Sequence, residues 1–532
     1  MTPPLGRMRP LHPATHGIDD LTSRFGLEIA PSAGAPTTAG VALTGVTVAS
    51  SATEPGDLFV ALQGLKAHGA TYAAQAVAAG AVAVLTDAVG AAACAAIRPA
   101  LGVPVLVAAD PRALLGDIAA WVFGAPAQGL VTVGVTGTNG KTTTTYFVDA
   151  ALRRLHPTTA VLGTVELRIG DDAVESPRTT VEAPALHALL ALARERGATA
   201  ASLEASSHAL ALGRVHGLTF DVVGFTNLQR DHLDFHGTME GYFADKARLF
   251  APEQARRGVV VVDDAWGRRL VAEARIPVES VATHVGAPEG ATADWAVVDA
   301  TIGLDGVGST FTLRGPDGES HACFSPLPGL VNVSNAALAI VLAYRAGVPF
   351  DEAVAGVGSA HAIPGRMERV IERTGGWPLA LVDYAHTPDA LELALQAVRP
   401  ITPGRLFIVF GSDGDRDMGK RPIMGATAAR LADVLIVTDE NPRSEVPAQI
   451  RAEILAGARE QRPSGTDILE ATSRAEAIRT ALRLADDGDT IIITGKGHEP
   501  TQEIAGVFHR YNDRDVLQAA VRDALAAAEA VE

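Results

Sequence analysis

Short apolar runs alternate with longer stretches in which apolar residues recur at helical spacing, through most of the chain. Runs that are apolar throughout and bounded by turn residues predict buried strands, and the stretches between them predict helices. Strands that alternate with helices form mostly parallel sheets covered on both faces. We therefore expect an α/β protein.

The first segment, to about Phe123, contains strand-like runs between Ala-rich helical stretches. The predicted strands are Asp57–Leu62, Ala81–Leu85 and Pro104–Ala108. Gly124–Gly129 reads Gly-Ala-Pro-Ala-Gln-Gly, a composition typical of linkers. We predict a small α/β domain over residues 1–124, of which residues 1–17 are expected to be disordered.

The second segment, residues 125–363, begins with the apolar strand Val131–Val135. Further strands are predicted at Ala201–Glu204, Val222–Phe225 and Val259–Val262, and helices at Thr142–Leu155, Ala183–Arg194 and Met239–Phe250. Residues 286–320 contain short alternating runs rich in Gly, Asp and Thr, which predict an antiparallel excursion. This segment is expected to form a mostly parallel sheet.

The third segment, residues 364–532, has the same alternation. Its predicted strands are Leu379–Val382, Leu406–Phe410, Val434–Val437 and Ile491–Thr494, with helices at Pro388–Val398 and Pro447–Ala458. The pattern predicts a doubly wound, Rossmann-like sheet, in which ligands bind at the carboxyl ends of the strands.

Composition narrows the choice of partner and compartment. A chain of 532 residues corresponds to three domains of ordinary size. The net charge of −17 argues against non-specific binding to nucleic acid or anionic lipid. Cys94 and Cys323 are too far apart in the sequence to indicate a disulfide framework, which favours a reduced, cytoplasmic compartment. The most apolar stretch, residues 73–109, is interrupted by charges and a proline, so no membrane insertion is expected.

The strongest motif is Thr136–Thr143, which reads TGTNGKTT between a predicted strand and a predicted helix. Glycines there let backbone N–H groups approach phosphates, and the helix N-terminus adds partial positive charge. Lys141 is placed to reach the β- and γ-phosphates, and the Thr142 hydroxyl to hold Mg²⁺. Val135 stands where the strict phosphate-loop pattern has glycine, so an ordinary Gly-rich turn is the alternative.

Three further positions are weaker candidates on the residues alone. Glu204 ends a predicted strand and could hold a metal or be a solvated carboxylate. Asn227–His236 contains two His and two Asp, of which His232 is the better metal candidate and His236 could simply cap or pack. Lys246 lies on a predicted helix, where a lysine is usually a solvated surface group.

Four segments together resemble the Mur ligases, the ATP-dependent amide-forming enzymes of peptidoglycan precursor synthesis. They are TGTNGKTT at 136–143, Glu204–His208, Asn227–His236 and the DYAHTP segment Asp383–Pro388. The segments Gly414–Asp417 (GDRD), Glu440–Arg443 (ENPR) and Gly495–Glu499 (GKGHE) are similar to the MurE group of that family. The resemblance covers about residues 40–520 in the same order.

The resemblance implies a fold of an N-terminal UDP-binding domain, a central phosphate-loop ATPase and a C-terminal domain that binds the amino acid. It implies an ATP-dependent ligase that adds meso-diaminopimelate to the D-Glu of UDP-N-acetylmuramoyl-L-Ala-D-Glu through an acyl phosphate. Closure of three domains would need hinges near residues 124–128 and 363–365. We expect a cytoplasmic enzyme, acting as a monomer.

The resemblance also implies a set of site residues. ATP would contact Gly137, Thr138, Asn139, Gly140, Lys141, Thr142, Thr143, Asn332, Arg366 and Asp383. The catalytic residues would be Lys141, Glu204, His232 and Lys246, and the Mg²⁺ ligands Thr142, Glu204, His232 and Lys246. In the family, the lysine shortly after the DHLD-x-HG segment is carbamylated by CO₂ and becomes an anionic ligand; here that lysine is Lys246.

Two more sets follow for the other substrates. The nucleotide-peptide would contact Ser50, Lys66, Ala67, His68, Thr179, Thr180, Ser206 and Arg214. The amino acid would contact Arg416, Glu440, Asn441, Pro442, Arg443, Gly495 and Glu499. The chain departs from the family at Ala49–Ser51, where Asp-Ser-Arg is common, at Leu212, where some members have Gln, and at Glu440, where diaminopimelate-adding members have Asp.

Several alternatives remain open. Because Glu440 is longer by a methylene than Asp, the same ligase could add L-lysine or L-ornithine instead of diaminopimelate. Folylpolyglutamate synthase shares the phosphate loop but not the three later segments. A non-catalytic MurT-like subunit would carry a cysteine metal ribbon, which two distant cysteines cannot form. A phosphate-loop transport or regulatory ATPase would leave the C-terminal motifs unexplained.

Overall fold

The computed structural model describes residues 8–31, 38–64, 66–303 and 308–529, and these residues form three main sheets. Each sheet lies in one of the three segments that the sequence separates, so the prediction of a three-domain α/β protein is confirmed. Within the described ranges, no helix is long and apolar enough to cross a membrane.

The N-terminal segment contains one sheet of five strands and a short strand pair. Its strands are β1 (His16–Gly17), β2 (Glu28–Ile29), β3 (Ala42–Leu43), β4 (Gly45–Thr47), β5 (Asp57–Val60), β6 (Ala83–Thr86) and β7 (Val105–Val107); its helices are α1 (Ile18–Phe25), α2 (Ala73–Ala78), α3 (Ala88–Ala96) and α4 (Pro111–Val122). The sheet order is β2-β7-β6-β5-β4, parallel except for β2. Asp110 caps α4 by accepting from the Ala113 amide.

Residues 8–17 correct the prediction of a disordered N-terminus; residues 1–7 lie outside the described residues. Met8 is buried, and the Arg9 guanidinium lies 2.6 Å from the carboxylate of buried Asp57. The amides of Leu11 and His12 donate to Glu195 at 2.6 and 2.9 Å. A buried carboxylate needs a cationic partner, which the sequence pattern around Arg9 does not reveal.

The central segment is built on an eleven-stranded sheet. Its strands are β8 (Val131–Thr136), β9 (Thr159–Leu162), β10 (Glu166–Ile169), β11 (Asp172–Glu175), β12 (Ala200–Glu204), β13 (Val222–Phe225), β14 (Gly258–Val261), β15 (Val278–Ala282), β16 (Trp295–Ile302), β17 (Ser309–Arg314) and β18 (Ser320–Ser325). Its helices are α5 (Lys141–Leu152), α6 (Ala183–Glu195), α7 (Ser207–Ala211), α8 (Leu233–His236), α9 (Met239–Ala247), α10 (Ala265–Glu273), α11 (Leu330–Arg345) and α12 (Phe350–Gly358).

The order of this sheet is β11-β10-β9-β12-β8-β13-β14-β15-β16-β17-β18. In this order, the neighbouring strands β9, β12, β8, β13, β14, β15 and β16 run parallel to one another. The pairs β9–β10, β10–β11, β16–β17 and β17–β18 are antiparallel. The predicted antiparallel excursion is therefore present, at β16–β18. Strand β8 lies between β12 and β13, so the carboxyl ends of these three strands meet beside the turn that follows β8.

The C-terminal segment forms a six-stranded sheet and a hairpin. Its strands are β19 (Glu368–Ile371), β20 (Leu379–Val382), β21 (Leu406–Phe410), β22 (Val434–Val437), β23 (Ile468–Glu470), β24 (Thr490–Ile493), β25 (Thr501–Ile504) and β26 (Val507–Arg510); its helices are α13 (Pro388–Val398), α14 (Lys420–Leu431), α15 (Pro447–Gln461), α16 (Arg474–Leu484) and α17 (Asp513–Glu529). The order β19-β20-β24-β21-β22-β23 is parallel apart from β19, as expected for a Rossmann-like sheet.

A buried ion pair joins two helices of this segment to the end of β24. The Arg474 guanidinium donates to both oxygens of Asp513, at 2.8 and 2.7 Å, and to the Thr494 carbonyl at 2.7 Å. Both charged side chains are fully buried. The pair thereby fixes the start of the turn after β24.

Replacing Arg474 with methionine should lower the free energy of unfolding of the C-terminal domain by about 3–5 kcal/mol, because Asp513 is left as an uncompensated buried charge. Urea unfolding of the purified chain measures the loss. Arg483→Met is the matched control, since Arg483 pairs with Glu476 at the exposed surface. A loss below about 1 kcal/mol for Arg474→Met would contradict this account.

Candidate active site

The turn between β8 and α5 has the conformation of a phosphate loop. Gly137 and Gly140 have φ values of 143° and 86°. A Cβ at Gly137 would collide with the Thr226 hydroxyl, and one at Gly140 with the Asn335 amide. Glycine is therefore required at both positions, by backbone conformation and by close approach.

Lys141 is the first residue of α5, and its side chain closes back over the loop. Its Nζ donates to the Gly137 carbonyl at 3.1 Å and to the Thr138 carbonyl at 2.8 Å. Burial lowers the pKa of Lys141, and the carboxylates of Glu204 and Asp231 oppose that shift. The amine is thus held at the helix N-terminus, where a phosphate would lie.

Glu204, the last residue of β12, is 1% exposed and directly beside the loop. It accepts from the Thr142 hydroxyl at 3.0 Å and from the Thr164 amide and hydroxyl at 2.7 and 2.9 Å. It is therefore not a solvated strand-end carboxylate. Thr164 lies in the turn after β9 and was not anticipated from the sequence, because no motif marks it.

The segment after β13 shapes the other side of the loop. The Thr138 amide donates to the Asn227 carbonyl at 2.9 Å, and the Asn139 amide to the Asn227 side chain at 3.0 Å. The Asn139 side chain donates to Gln229 at 2.6 Å. These contacts fix the loop against the segment after β13.

Lys246 is 1% exposed, which excludes the solvated surface lysine that its helical position alone suggests. Its Nζ donates to the Gly137 carbonyl at 2.6 Å and lies 4.6 Å from the centre of the Tyr242 ring. Burial and the nearby Lys141 ammonium hold the pKa of Lys246 well below its usual value. The structure therefore places Lys246 against the phosphate loop.

The two predicted histidines have different surroundings. His236 is buried, with its ring nitrogens 2.8 Å from the Asp245 carboxylate and 2.9 Å from the Ser207 hydroxyl, so it packs. His232 lines the cavity described next, with Nε2 3.3 Å from an Asp231 oxygen and its ring edge-on to His208. Partial desolvation in the cavity lowers the pKa of His232, although 46% of its side chain is exposed.

A cavity of about 260 Å³ separates the loop from the C-terminal domain. Its lining includes Thr138, Asn139, Gly140, Lys141, Thr142, Thr143, Glu204, His232, Asn332, Arg366 and Asp383. The structure thus brings together the predicted ATP-site residues apart from Gly137, which lies in the same loop. Tyr384 and His386 also line this cavity, although the motifs assign them no separate role.

Residues of the C-terminal domain reach across the cavity. Arg366 donates to the Thr142 hydroxyl at 3.3 Å, and its guanidinium lies 4.4 Å from the centre of the Tyr384 ring. Asp383 accepts from the amides of Met367 and Ala385 at 2.8 and 2.9 Å. Asp383 therefore holds the backbone that carries Arg366 and Tyr384.

The predicted Mg²⁺ ligands fit only in part as they stand. Among the described residues, no group of three or more His, Cys, Asp or Glu side chains could hold a metal ion. The Thr142 hydroxyl oxygen lies 3.0 Å from a Glu204 carboxylate oxygen, and Mg²⁺ prefers oxygen ligands of these kinds. Lys246 presents an N–H donor, which becomes an oxygen ligand only as a carbamate.

A second cavity, of about 210 Å³, lies between the N-terminal and central domains. It is lined by residues 46–49, next to the predicted Ser50, and by residues that adjoin Thr179 and Thr180. Thr180 donates to the Glu204 carbonyl at 2.7 Å, and the Thr179 hydroxyl is 3.1 Å from that of Thr164. Ser206 donates its amide to the Thr180 hydroxyl at 3.1 Å. These residues connect the second cavity with the phosphate loop.

Three arginines surround one carboxylate at this boundary. Glu182 lies 2.9 Å from Arg214, 3.1 Å from Arg178 and 3.7 Å from Arg112. Burial lowers the pKa of Arg214, and the other two cations add to that shift. The cluster has an excess of positive charge, which suits an anionic substrate. Only Arg214 was predicted.

The remaining predicted N-terminal residues are less clearly placed in a site. Ser50 donates to Gln75 at 3.0 Å, and Lys66 is exposed. His68 caps a turn by accepting from the Ala70 amide and lies 3.2 Å from Asp87. None of them, nor Ala67, lines either cavity described above, so their contact with a nucleotide stays a prediction.

Charged groups gather at the carboxyl ends of β21, β22 and β24. Glu440 is 2% exposed, and its Oε2 has no hydrogen-bond partner among the described residues. Burial raises the pKa of Glu440, and the nearby Asp413 carboxylate adds to the shift. A Cβ at Gly495 would collide with Glu440, and φ is 110° there, so glycine is required.

Arg443 faces the same cluster. Its Nη2 lies 3.2 Å from Asp413, while its Nε and one Asp413 oxygen are buried without partners among the described residues. Glu499 accepts from Asn441 at 3.0 Å and from Lys496 at 2.8 Å.

The carboxylate oxygens and the guanidinium nitrogen that lack hydrogen-bond partners among the described residues suit the ammonium and carboxylate groups of an amino acid. Two other predicted residues contribute less. The Pro442 carbonyl accepts from the Glu445 amide, and exposed Arg416 donates to the Asp415 carbonyl at 3.5 Å.

Comparison with known proteins agrees with this geometry. The Mur ligase family catalytic domain matches residues 42–121, the Mur ligase middle domain residues 135–343, and the Mur ligase glutamate ligase domain residues 365–497. A UDP-N-acetylmuramoyl-L-alanyl-D-glutamate–2,6-diaminopimelate ligase of Streptomyces avermitilis is 45% identical over 97% of this chain and 98% of its own. A UDP-N-acetylmuramyl-tripeptide synthetase of Leifsonia xyli is 46% identical over the same shares.

A solved structure shows the same architecture. It is a UDP-N-acetylmuramoyl-L-alanyl-D-glutamate–2,6-diaminopimelate ligase, 34% identical, with a TM-score of 0.62 over 90% of this chain and 95% of that one. The family models match segments of all three main sheets, and the relatives span almost the full length. On both grounds the chain belongs to the Mur ligase family.

Proposed function

We propose that this chain is an ATP-dependent ligase that joins meso-diaminopimelate to the D-Glu carboxylate of UDP-N-acetylmuramoyl-L-Ala-D-Glu, in cytoplasmic peptidoglycan precursor synthesis. One observation carries the proposal: a phosphate loop faces, across one cavity, a C-terminal domain whose strand ends carry buried polar atoms that have no hydrogen-bond partner among the described residues. The names of the Streptomyces relative and of the solved structure agree with it.

The reaction must activate a carboxylate, which is a poor electrophile. Transfer of the γ-phosphate of ATP to the D-Glu carboxylate gives an acyl phosphate, which an amine can then attack with loss of phosphate. Lys141 and the loop amides hold the phosphates, and Arg366 approaches from the other domain. Catalysis is therefore mainly positioning and charge neutralisation.

The residues beside the loop would hold Mg²⁺, with Thr142 and Glu204 as its oxygen donors. We propose that Lys246, which contacts the loop at the Gly137 carbonyl, carries a carbamate formed with CO₂ and supplies a further anionic ligand, while His232 lines the cavity between the loop and the C-terminal domain. Burial of Lys246 beside Lys141 disfavours its ammonium form, and the neutral amine is the form that reacts with CO₂. Bound Mg²⁺ would neutralise charge on the transferred phosphoryl group.

The nucleotide-peptide would enter from the second cavity. Arg112, Arg178 and Arg214 offer guanidinium groups to its phosphates and carboxylates, and such pairs can be bidentate. Thr179, Thr180 and Ser206 link this cavity to the loop, so the D-Glu carboxylate can reach the transferred phosphate.

The amino acid would bind at the C-terminal strand ends. Diaminopimelate carries a second carboxylate, which lysine and ornithine lack, and Arg443 has a buried Nε free to meet it. Glu440 and Glu499 would face ammonium groups. Glu440 is longer than the family's aspartate, so the far end of the site is shorter here; this favours L-ornithine as the second candidate.

A panel of diamino acids, scored by the mass of the UDP-linked product, tests the specificity. The wild-type chain should prefer meso-diaminopimelate. Arg443→Ala should reduce kcat/KM for diaminopimelate by at least roughly a hundredfold, because the substrate carboxylate loses its buried partner. The same substitution should leave the low turnover with lysine nearly unchanged.

Arg459→Ala is the matched control, since Arg459 is an exposed arginine of the same domain. A wild-type preference for lysine or ornithine, or a silent Arg443→Ala, would overturn the specificity. The ligase proposal itself would fail if no amino acid gave a product and ATP were not consumed in the presence of the nucleotide-peptide.

A further inference from the structure

His386 lies in the loop after β20 and lines the cavity between the two domains. Its Nδ1 is 2.9 Å from the Tyr384 carbonyl oxygen. A carbonyl can only accept, so Nδ1 carries the proton and Nε2 holds a lone pair. Among the residues that the structure describes, no group makes a hydrogen bond with Nε2.

Charged groups of both signs face this imidazole from three neighbouring elements. Lys420, the first residue of α14, donates from Nζ to the His386 carbonyl at 2.8 Å. Asp231, from the segment after β13, and Asp413, from the loop after β21, oppose the effect of that cation. Burial has the largest effect and lowers the pKa of His386, so the ring is a neutral base near pH 7.

His386 lies between the groups that would bind phosphate and those that would bind the amino acid. Asp231 and Lys141 mark the phosphate side of the cavity, and Asp413 belongs to the cluster around Glu440 and Arg443. An amino acid bound at that cluster arrives with a protonated α-amine, which has no lone pair to attack the acyl phosphate. The proposed function therefore requires a base between the cluster and the phosphate loop.

We propose that His386 is the general base that deprotonates the incoming amine; this inference rests on the proposed function. The α-ammonium gives one proton to Nε2, and its nitrogen lone pair then forms the C–N bond. The bond between the acyl carbon and the phosphate oxygen breaks, and phosphate leaves with the electron pair. The second proton lost from nitrogen goes to the departing phosphate, and the amide keeps the third.

His386→Asn separates the base from the structural contact, because the Asn amide can still donate to the Tyr384 carbonyl. At pH 7 this variant should ligate diaminopimelate at least roughly a hundredfold more slowly than wild type. Acyl phosphate formation, trapped with borohydride, should be unchanged. Turnover with hydroxylamine, which is neutral at pH 7 and needs no base, should also be unchanged, and turnover with the diamino acid should recover as the pH rises.

His284→Asn, at an imidazole side chain that is 69% exposed, is the matched control and should behave as wild type. Loss of acyl phosphate formation in His386→Asn would show that His386 serves ATP, and equal losses with both nucleophiles would show that it positions the acyl group; either result overturns the inference. A wild-type chain that forms no acyl phosphate would instead overturn the proposed function.

A second variant keeps the test independent of how His386→Asn folds. Lys420→Met removes the cation that disfavours protonated His386, so the pKa of His386 should rise. The acidic limb of the pH profile of kcat/KM for the diamino acid should then move to higher pH, while the profile with hydroxylamine should not move. Profiles that coincide with wild type for both nucleophiles would overturn the base assignment.

Discussion

Replacing Lys141 with alanine should reduce ligase turnover by roughly a hundredfold to a thousandfold or more, the loss typical of removing one preorganised donor from a developing charge. Lys141 opens α5 and holds its amine against the loop carbonyls, next to Glu204. In the proposed mechanism, Lys141 and the helix N-terminus bind the same phosphates. The loop amides carry only partial positive charge, so they cannot replace the full charge of the lysine. Release of phosphate that depends on the nucleotide-peptide measures the effect.

The fold should survive this substitution. Within the described ranges, the Lys141 amine donates hydrogen bonds to two carbonyls of its own loop and to no other group, so the midpoint of thermal unfolding should stay within a few degrees of wild type. Arg154→Ala removes a cation from an exposed pair with Glu352, just after the same helix, and should leave turnover unchanged. Near-normal turnover of Lys141→Ala would mean that the loop does not bind the transferred phosphate.

Buried parallel strands were the part of the fold that the sequence predicts best. Val222–Phe225, Leu379–Val382, Leu406–Phe410 and Val434–Val437 occupy the predicted residues in the structure. A strand covered on both faces must be apolar at every position, so its ends coincide with the ends of the apolar run. The apolar runs therefore predict both that these strands exist and where they begin and end.

Edge strands and the N-terminal segment were missed for the opposite reason. The hairpins β10–β11 and β25–β26 lie at an edge or outside the sheets, and their four-residue strands mix polar and apolar positions, with only alternate residues such as Leu167 and Ile169 buried. Residues 8–17 are held by Arg9, Leu11 and His12 through partners 48 to 184 residues away. Such contacts leave no local periodicity from which to predict them.

In the candidate site too, residues defined by local sequence were predicted and residues defined by distant contacts were missed. Residues in one contiguous loop, such as Lys141 and Thr142, were predicted together with their roles because the loop's chemistry is local. Thr164 completes the site only through a contact with Glu204, 40 residues away. The burial of Lys246 also depends on a distant partner, the Gly137 carbonyl, 109 residues away. Helical position alone gave the wrong interpretation of that lysine, and the family resemblance was needed to select it.

Lys246→Ala should abolish ligation, and short carboxylic acids added to this variant should restore part of it. If Lys246 acts as a carbamate, its essential group is a carboxylate beside the phosphate loop, where the amine now contacts the Gly137 carbonyl, and the alanine variant leaves a space where a small carboxylic acid can bind. An amine acting as a cation could not be replaced in this way. Native mass measured in the presence and absence of CO₂ should show a labile addition to wild type that Lys246→Ala lacks.

Tyr242→Phe is the matched control, because Tyr242 contacts the Lys246 amine through its ring and a phenylalanine keeps that face. This variant should retain the CO₂-dependent mass and most of the turnover. Rescue of Lys246→Ala by methylamine rather than by formate or acetate would identify the lysine as a cation that acts on phosphate, and near-normal turnover of Lys246→Ala would remove it from the mechanism. In both cases Lys141 would remain a cation at the phosphate loop: the two amines share the Gly137 carbonyl, but Lys141 also donates to the Thr138 carbonyl.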